Sequence, residues 1–204
     1  RYTYIPSISF FLLIAYFYCR YFEKNKKKRF TATTILIIYI GIIAILTFNR
    51  SLIWKNSQSL WENVLAKNQD VPVALNNLGL AKTELGLYSE AITSFDRLVM
   101  LKPDYSDAYV NRGFARERLG DSTGALQDYS KAIETDPNNI LAYSNRAMLW
   151  SDLNDSVDAF KDINYAMKLR PDEAILLRNL GLIYVKFNNM KQGLKQLNDA
   201  IELN

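Results

Sequence analysis

PDYSDAYVNRGFARERLGDSTGALQDYSKAIETDP, residues 103 to 137, opens and closes on a proline, and the next proline along the chain is Pro171. Pro103, Pro137 and Pro171 stand 34 residues apart, each closing an apolar run, which marks an array of one repeating unit. Laid over one another, the units bring Leu78-Gly79, Arg112-Gly113, Arg146-Ala147 and Leu180-Gly181 into register. Ala91, Ala125, Ala159 and Gly193 form a second column, Phe95, Tyr129, Ile163 and Leu197 a third, and Leu98, Ala132, Ala166 and Ala200 a fourth. Small residues let two backbones approach and large apolar ones fill the groove between them, so each unit reads as a helix-turn-helix whose proline ends the second helix. Gly86, Gly120, Asn154 and Asn188 fall at the shared turn, where a left-handed residue costs least if it is Gly or Asn.

This pattern resembles the tetratricopeptide repeat family over residues 70 to 204, as units of about 72–105, 106–139, 140–173 and 174–204. The departures are Ala147 for the first-helix Gly, Gly193 for the usual Ala, and Tyr88 alone keeping the aromatic after the turn. The resemblance implies an all-α solenoid. Residues 50–69 read as a linker with a capping helix over Ser57 to Lys67, covering a terminal apolar face that would otherwise meet water.

Residues 1–49 are a different material. Tyr4 to Tyr21 is almost wholly apolar and aromatic, and Phe30 to Phe48 is Ile-rich and free of charge. Each is long enough to cross a hydrocarbon core of about 30 Å at about 1.5 Å per residue. A pair of buried soluble helices would lack a partner surface, and a cleavable signal is disfavoured by the second span. The segment therefore reads as a transmembrane hairpin, spans 4–21 and 30–48, in contact with the lipid bilayer. Its loop, residues 23–29, carries Lys24, Lys26, Lys27, Lys28 and Arg29 against Glu23 alone. Positive loops stay in the cytoplasm, so the repeats are expected on the other side: periplasm, lumen or exterior. A site for anionic lipid or nucleic acid is the weaker alternative for that loop.

Residues 1–69 carry 10 basic and 2 acidic side chains (+8) and residues 70–204 carry 15 and 19 (−4), summing to the net +4. The basic character belongs to the N-terminal part, and on charge the repeat array is not a nucleic-acid binder. The chain has no His, which removes the commonest general base and metal ligand. Cys19, the single cysteine, lies inside the first span and has no intrachain partner for a disulfide. No phosphate-cradling Gly-rich loop appears, and the carboxylates are scattered over repeat surfaces. No catalytic residue, cofactor or metal site is expected in this chain.

One column points to binding. Asn77, Asn111, Asn145 and Asn179 hold the same place in the first helix of each unit. An amide both donates and accepts, which suits the main chain of an extended peptide whatever its side chains. A similar asparagine ladder is known in O-linked N-acetylglucosamine transferases. The alternative is that each Asn bonds the neighbouring repeat and is structural. Val110, Phe114, Met148 and Leu182 would add an apolar strip, with Glu117, Arg118, Asp152, Arg178 and Lys186 as mixed charges. That mixture favours a protein or peptide ligand over a uniformly charged one.

The chain reads as a fragment, opening at Arg1 and stopping at Asn204, one residue before the next proline falls due. Arg50, Trp54, Leu60 and Trp61 followed by Asn77-Leu78-Gly79 resemble the stretch after the last span in transmembrane O-mannosyltransferases, which join a lipid-linked-sugar glycosyltransferase body to such repeats. Three functions follow: a membrane-anchored interaction module, the acceptor-binding tail of a glycosyltransferase whose catalytic carboxylates lie upstream, and an assembly scaffold. Asn154-Asp155-Ser156 is also a formal glycosylation acceptor in a turn.

Overall fold

The computed structural model describes residues 26–53 and 56–203, and the chain divides into two units, Arg1–Trp54 and Lys55–Asn204. The described residues form ten helices.

The first unit contributes α1, Lys26–Ile53, 28 residues long. Ile37, Ile38, Tyr39, Ile40, Ile42 and Ile43 are all exposed, and these positions run right round the helix. The expected transmembrane hairpin is not shown. Residues 4–21 lie outside the described residues, and among those described no helix is long and apolar enough to cross a membrane. Residues 30–48 carry no charged side chain.

The second unit begins with α2 (Ser57–Lys67), capped by Asn56, whose side chain accepts from Ser59 N–H at 2.8 Å. Four helix pairs follow: α3 (Pro72–Glu84) with α4 (Tyr88–Leu101), α5 (Ser106–Arg118) with α6 (Ser122–Thr135), α7 (Ile140–Asp152) with α8 (Ser156–Leu169), and α9 (Ala174–Lys186) with α10 (Met190–Glu202). Each first helix packs on its own second helix and on the second helix of the pair before, and α2 takes that preceding place against α3.

Within a pair, the turn is set by one left-handed residue. Gly86, Gly120, Asn154 and Asn188 have φ of 75°, 85°, 65° and 62°. Leu87 N–H reaches Lys82 O at 2.9 Å, and Asp155 N–H reaches Trp150 O at 2.9 Å, the six-to-one bond that closes a helix end behind such a residue. Between pairs, Tyr105 N–H donates to Lys102 O at 3.2 Å across Pro103, and Asn139 N–H to Asp136 O at 3.1 Å across Pro137. Proline thus sits at the second position of the reversing turn, where its fixed φ fits. Asp121, Asn139, Asp155 and Asn189 each cap the helix that follows by accepting from a backbone N–H.

The helices of a pair approach through glycine. A Cβ on Gly79 would stand 2.5 Å from the Phe95 ring, on Gly113 2.8 Å from the Tyr129 ring, and on Gly181 2.8 Å from Leu197. Phe95 and Tyr129 are fully buried there. In the third pair Ala147 takes the glycine's place and Ile163, also fully buried, takes the ring's, so the extra methyl accompanies a branched chain.

Two half-buried arginines fasten successive pairs. On α5, Arg112 Nη2 and Nε meet Asp128 at 2.6 and 3.0 Å, while Nη1 reaches back to Asp96 on α4 at 2.8 Å. On α7, Arg146 Nε and Nη2 meet Asp162 at 2.7 and 2.9 Å, and Nη1 donates to Ser130 on α6 at 2.9 Å. Burial opposes the charge of Arg112, but Asp128 and Asp96 outweigh it and its pKa is raised. Arg116 adds a third bond to Asp128 at 2.9 Å.

Gly79→Ala is expected to destabilise the repeat unit by about 1–3 kcal/mol through overpacking against Phe95. Gly79→Ala/Phe95→Ile, which copies the third pair, is expected to cost clearly less than the two single changes together. Additive losses in urea unfolding would show that the ring does not set the approach.

Candidate peptide-binding surface

The first helices touch one another in series, α3 to α5, α5 to α7 and α7 to α9, whereas among the described residues no two second helices are in contact. The first helices therefore line the shorter, inner side of the stack. Their outward faces recur at fixed offsets. Asn77, Asn111, Asn145 and Asn179 form the middle row, Leu80, Phe114, Met148 and Leu182 lie one turn on, and Val73, Asp107, Leu141 and Ile175 one turn back. Glu84, Arg118, Asp152 and Lys186 make a fourth row of alternating sign.

Of the apolar strip expected from the sequence, Phe114 and Leu182 are exposed on this face and Met148 is half-buried. It misses Leu80, Val73, Leu141 and Ile175, which subtraction or addition of 34 residues from Phe114 or along the neighbouring column would have found. Val110 is a correction. At 5 % exposure it belongs to the core cluster with Leu75, Tyr109 and Ala142, because it points between α5 and its neighbours.

The asparagine row proves mixed. Asn111 Nδ2 donates to Asn76 Oδ1 at 3.2 Å, and Asn179 Nδ2 to Ser144 Oγ at 2.9 Å, each reaching the residue 35 positions back on the preceding first helix. Asn179 is only 5 % exposed. The corresponding residue for Asn145 is Val110, which has no side-chain acceptor. Asn77 stands on the first such helix and has no equivalent before it. The amides of Asn77 and Asn145, half-buried, make no hydrogen bond with any described residue. The structural alternative read from the sequence is met at Asn111 and Asn179, while Asn77 and Asn145 are left without a side-chain partner among the described residues.

The charges are partly committed. Lys186 Nζ bonds Asp152 at 2.9 Å, and the Arg118 guanidinium lies 5.5 Å from the centre of the Tyr88 ring. Glu117 accepts the Tyr129 hydroxyl at 2.7 Å. Burial raises the Glu117 pKa, the Tyr129 bond pulls it down, Asp152 raises it further and Arg118 offsets part of this. Burial also pushes the Tyr129 phenol up, with Glu117 adding to it. Arg178 is exposed, and among the described residues its guanidinium makes only long contacts of 3.4 Å to Asn179 Oδ1. Hollows flank both ends of the surface: about 320 Å³ beside Val73, Asn76 and Tyr105, and about 580 Å³ beside Ile175, Arg178 and Leu197.

An array of helix pairs stacked in series in this way is an α-solenoid. Tetratricopeptide repeat models match residues 72–105 and 106–139, the first two helix pairs. Over 109 residues it is 27 % identical to the protein O-mannosyl-transferase Tmtc2 of Drosophila melanogaster, covering 53 % of this chain and 11 % of that protein. The chain thus spans about a ninth of that relative's length. In structure it is similar to TTC0263, a tetratricopeptide repeat protein of Thermus thermophilus, at a TM-score of 0.66 and 21 % identity, over 84 % of this chain and 90 % of the other. It is also similar to YrrB, described as having an unusual peptide-binding site, at 0.56 and 19 %, over 92 % of each. These likenesses show an all-α repeat solenoid.

Asn111→Ala and Asn179→Ala are expected to cost about 1 kcal/mol of stability each, whereas Asn77→Ala and Asn145→Ala leave it within about 0.5 kcal/mol. Denaturant melts of the four variants check this; equal losses at all four would mean that Asn77 and Asn145 are tied internally as well.

Proposed function

We propose that this chain is the protein-binding arm of a membrane-anchored protein, holding an extended segment of a partner along the first-helix face on the non-cytoplasmic side. The observation that carries the reading is the pair of unengaged amides, Asn77 and Asn145, between apolar rows. An extended peptide presents main-chain donors and acceptors along its length and turns successive side chains to opposite sides. Amides in the middle and apolar side chains on both flanks match both properties.

Anchoring rests on the sequence: residues 30–48 lack charge, and apolar side chains in α1 are exposed on all faces, an arrangement that suits lipid and not water. The side of the membrane rests on the basic loop at 23–29. A second reading is favoured by the O-mannosyl-transferase relative. In it the repeats hold the acceptor protein for a glycosyltransferase body outside this sequence.

The test is a display library of unstructured peptides selected on the whole chain in lipid nanodiscs. Asn77→Ala/Asn145→Ala is expected to weaken the selected peptides roughly five- to hundredfold, the loss of two hydrogen bonds of about 0.5–1.5 kcal/mol each. Lys131→Ala/Lys161→Ala, on second helices, should leave affinity unchanged. Equal weakening by both pairs, or peptides indifferent to either, would reject the groove. Within a transferase, the Asn pair should raise KM for a protein acceptor without changing kcat.

A further inference from the structure

We infer that Asn154 is a site of N-linked glycosylation. The inference rests on the proposed non-cytoplasmic placement of the repeats and names a modification of that face of the protein. Asn154-Asp155-Ser156 carries the acceptor pattern of an Asn followed two residues on by a hydroxyl. The structure puts Asn154 at the exposed turn between α7 and α8, with φ of 65°. Its backbone N–H is engaged with Ser151 O at 2.9 Å, but its side-chain amide has no partner among the described residues. The fold therefore uses the backbone of this residue and leaves Nδ2 to solvent. The two residues that follow belong to the start of α8: Asp155 caps it by accepting from Asp158 N–H at 3.1 Å, and Ser156 is its first residue. A glycan on Nδ2 displaces no contact of the turn.

In the reaction Nδ2 bonds the anomeric carbon of a lipid-diphosphate-linked oligosaccharide. The bond from that carbon to the phosphate oxygen breaks, the lipid diphosphate leaves, and the amide loses one proton. The chain itself supplies only the acceptor.

The repeat supplies its own control. Gly120-Asp121-Ser122 occupies the equivalent turn one unit earlier, with φ of 85° and open space where a Cβ would stand. Gly120→Asn therefore creates the same Asn-Asp-Ser tripeptide at a position that tolerates Asn, as Asn154 and Asn188 show. The whole chain is translated into eukaryotic microsomes in an Asn49→Gln background, because Asn49-Arg50-Ser51 matches the pattern too. The expected result is a mass shift of one glycan, removed by an amidase specific for N-linked sugar. It should be abolished by Asn154→Gly, which suits the turn, and by Ser156→Ala. Gly120→Asn should add a second glycan. A shift that survives Asn154→Gly overturns the assignment, as does a chain modified at Gly120→Asn but not at Asn154. In that last case the placement of the repeats stands. Modification at neither turn overturns the placement and the assignment together.

Discussion

A missing methyl group sets the geometry of this fold. At Gly79, Gly113 and Gly181 any Cβ would collide with the residue filling the core of the same pair, so the first helix lies directly against Phe95, Tyr129 or Leu197. Interiors pack near crystal density, and a backbone brought this close has little freedom to slide. Each first helix is thereby held at one depth. Ala147 and Ile163 hold the equivalent places in the third pair, so the unit repeats every 34 residues and the faces opposite this small-residue column, the amides among them, align into rows.

Charge fastens what close packing aligns. Asp128 and Asp162 are buried on second helices, an environment that an unpaired carboxylate does not tolerate. Arg112 and Arg146 answer them with two bonds each and spend a third donor on the pair before. A buried ion pair adds little stability over well-packed neutral residues, whereas losing one partner costs about 3–5 kcal/mol. The first pair shows the neutral solution: Leu78 and Ser94 occupy the places of Arg112 and Asp128. The arginine version differs in reaching a residue of the neighbouring pair, which specifies how two units are stacked as well as how one is closed.

The period was legible because proline, the turn residue and the small-residue column are each dictated by backbone geometry, and backbone geometry repeats with the unit. Gly86, Gly120, Asn154 and Asn188 take positive φ at the turn where the sequence aligns them. The arginine clamps are not evident from that alignment alone, since Arg112 and Arg146 share a column with the apolar Leu78 and Leu180. Their signal was present: Asp replaces Ser94 and Gln196 in the partner column only where Arg replaces Leu. Val110 was misplaced because a helix position one step from the amide row looks exposed on a wheel, and the packing of the next unit covers it.

The amide row shows where repeat logic stops. Four identical residues in one column invite a single role, yet a hydrogen bond needs two groups, and the second group lies in a different column with Asn76, Val110, Ser144 and Arg178. Asn and Ser accept, Val does not, and so Asn111 and Asn179 are spent inside the stack while Asn145 is left free. A ligand would thus meet free amides in the first and third units and, between them, the exposed Phe114 ring on the second. Two polar anchors separated by an apolar contact select for the spacing of a ligand's groups along an extended chain. Uniform rungs would accept any register.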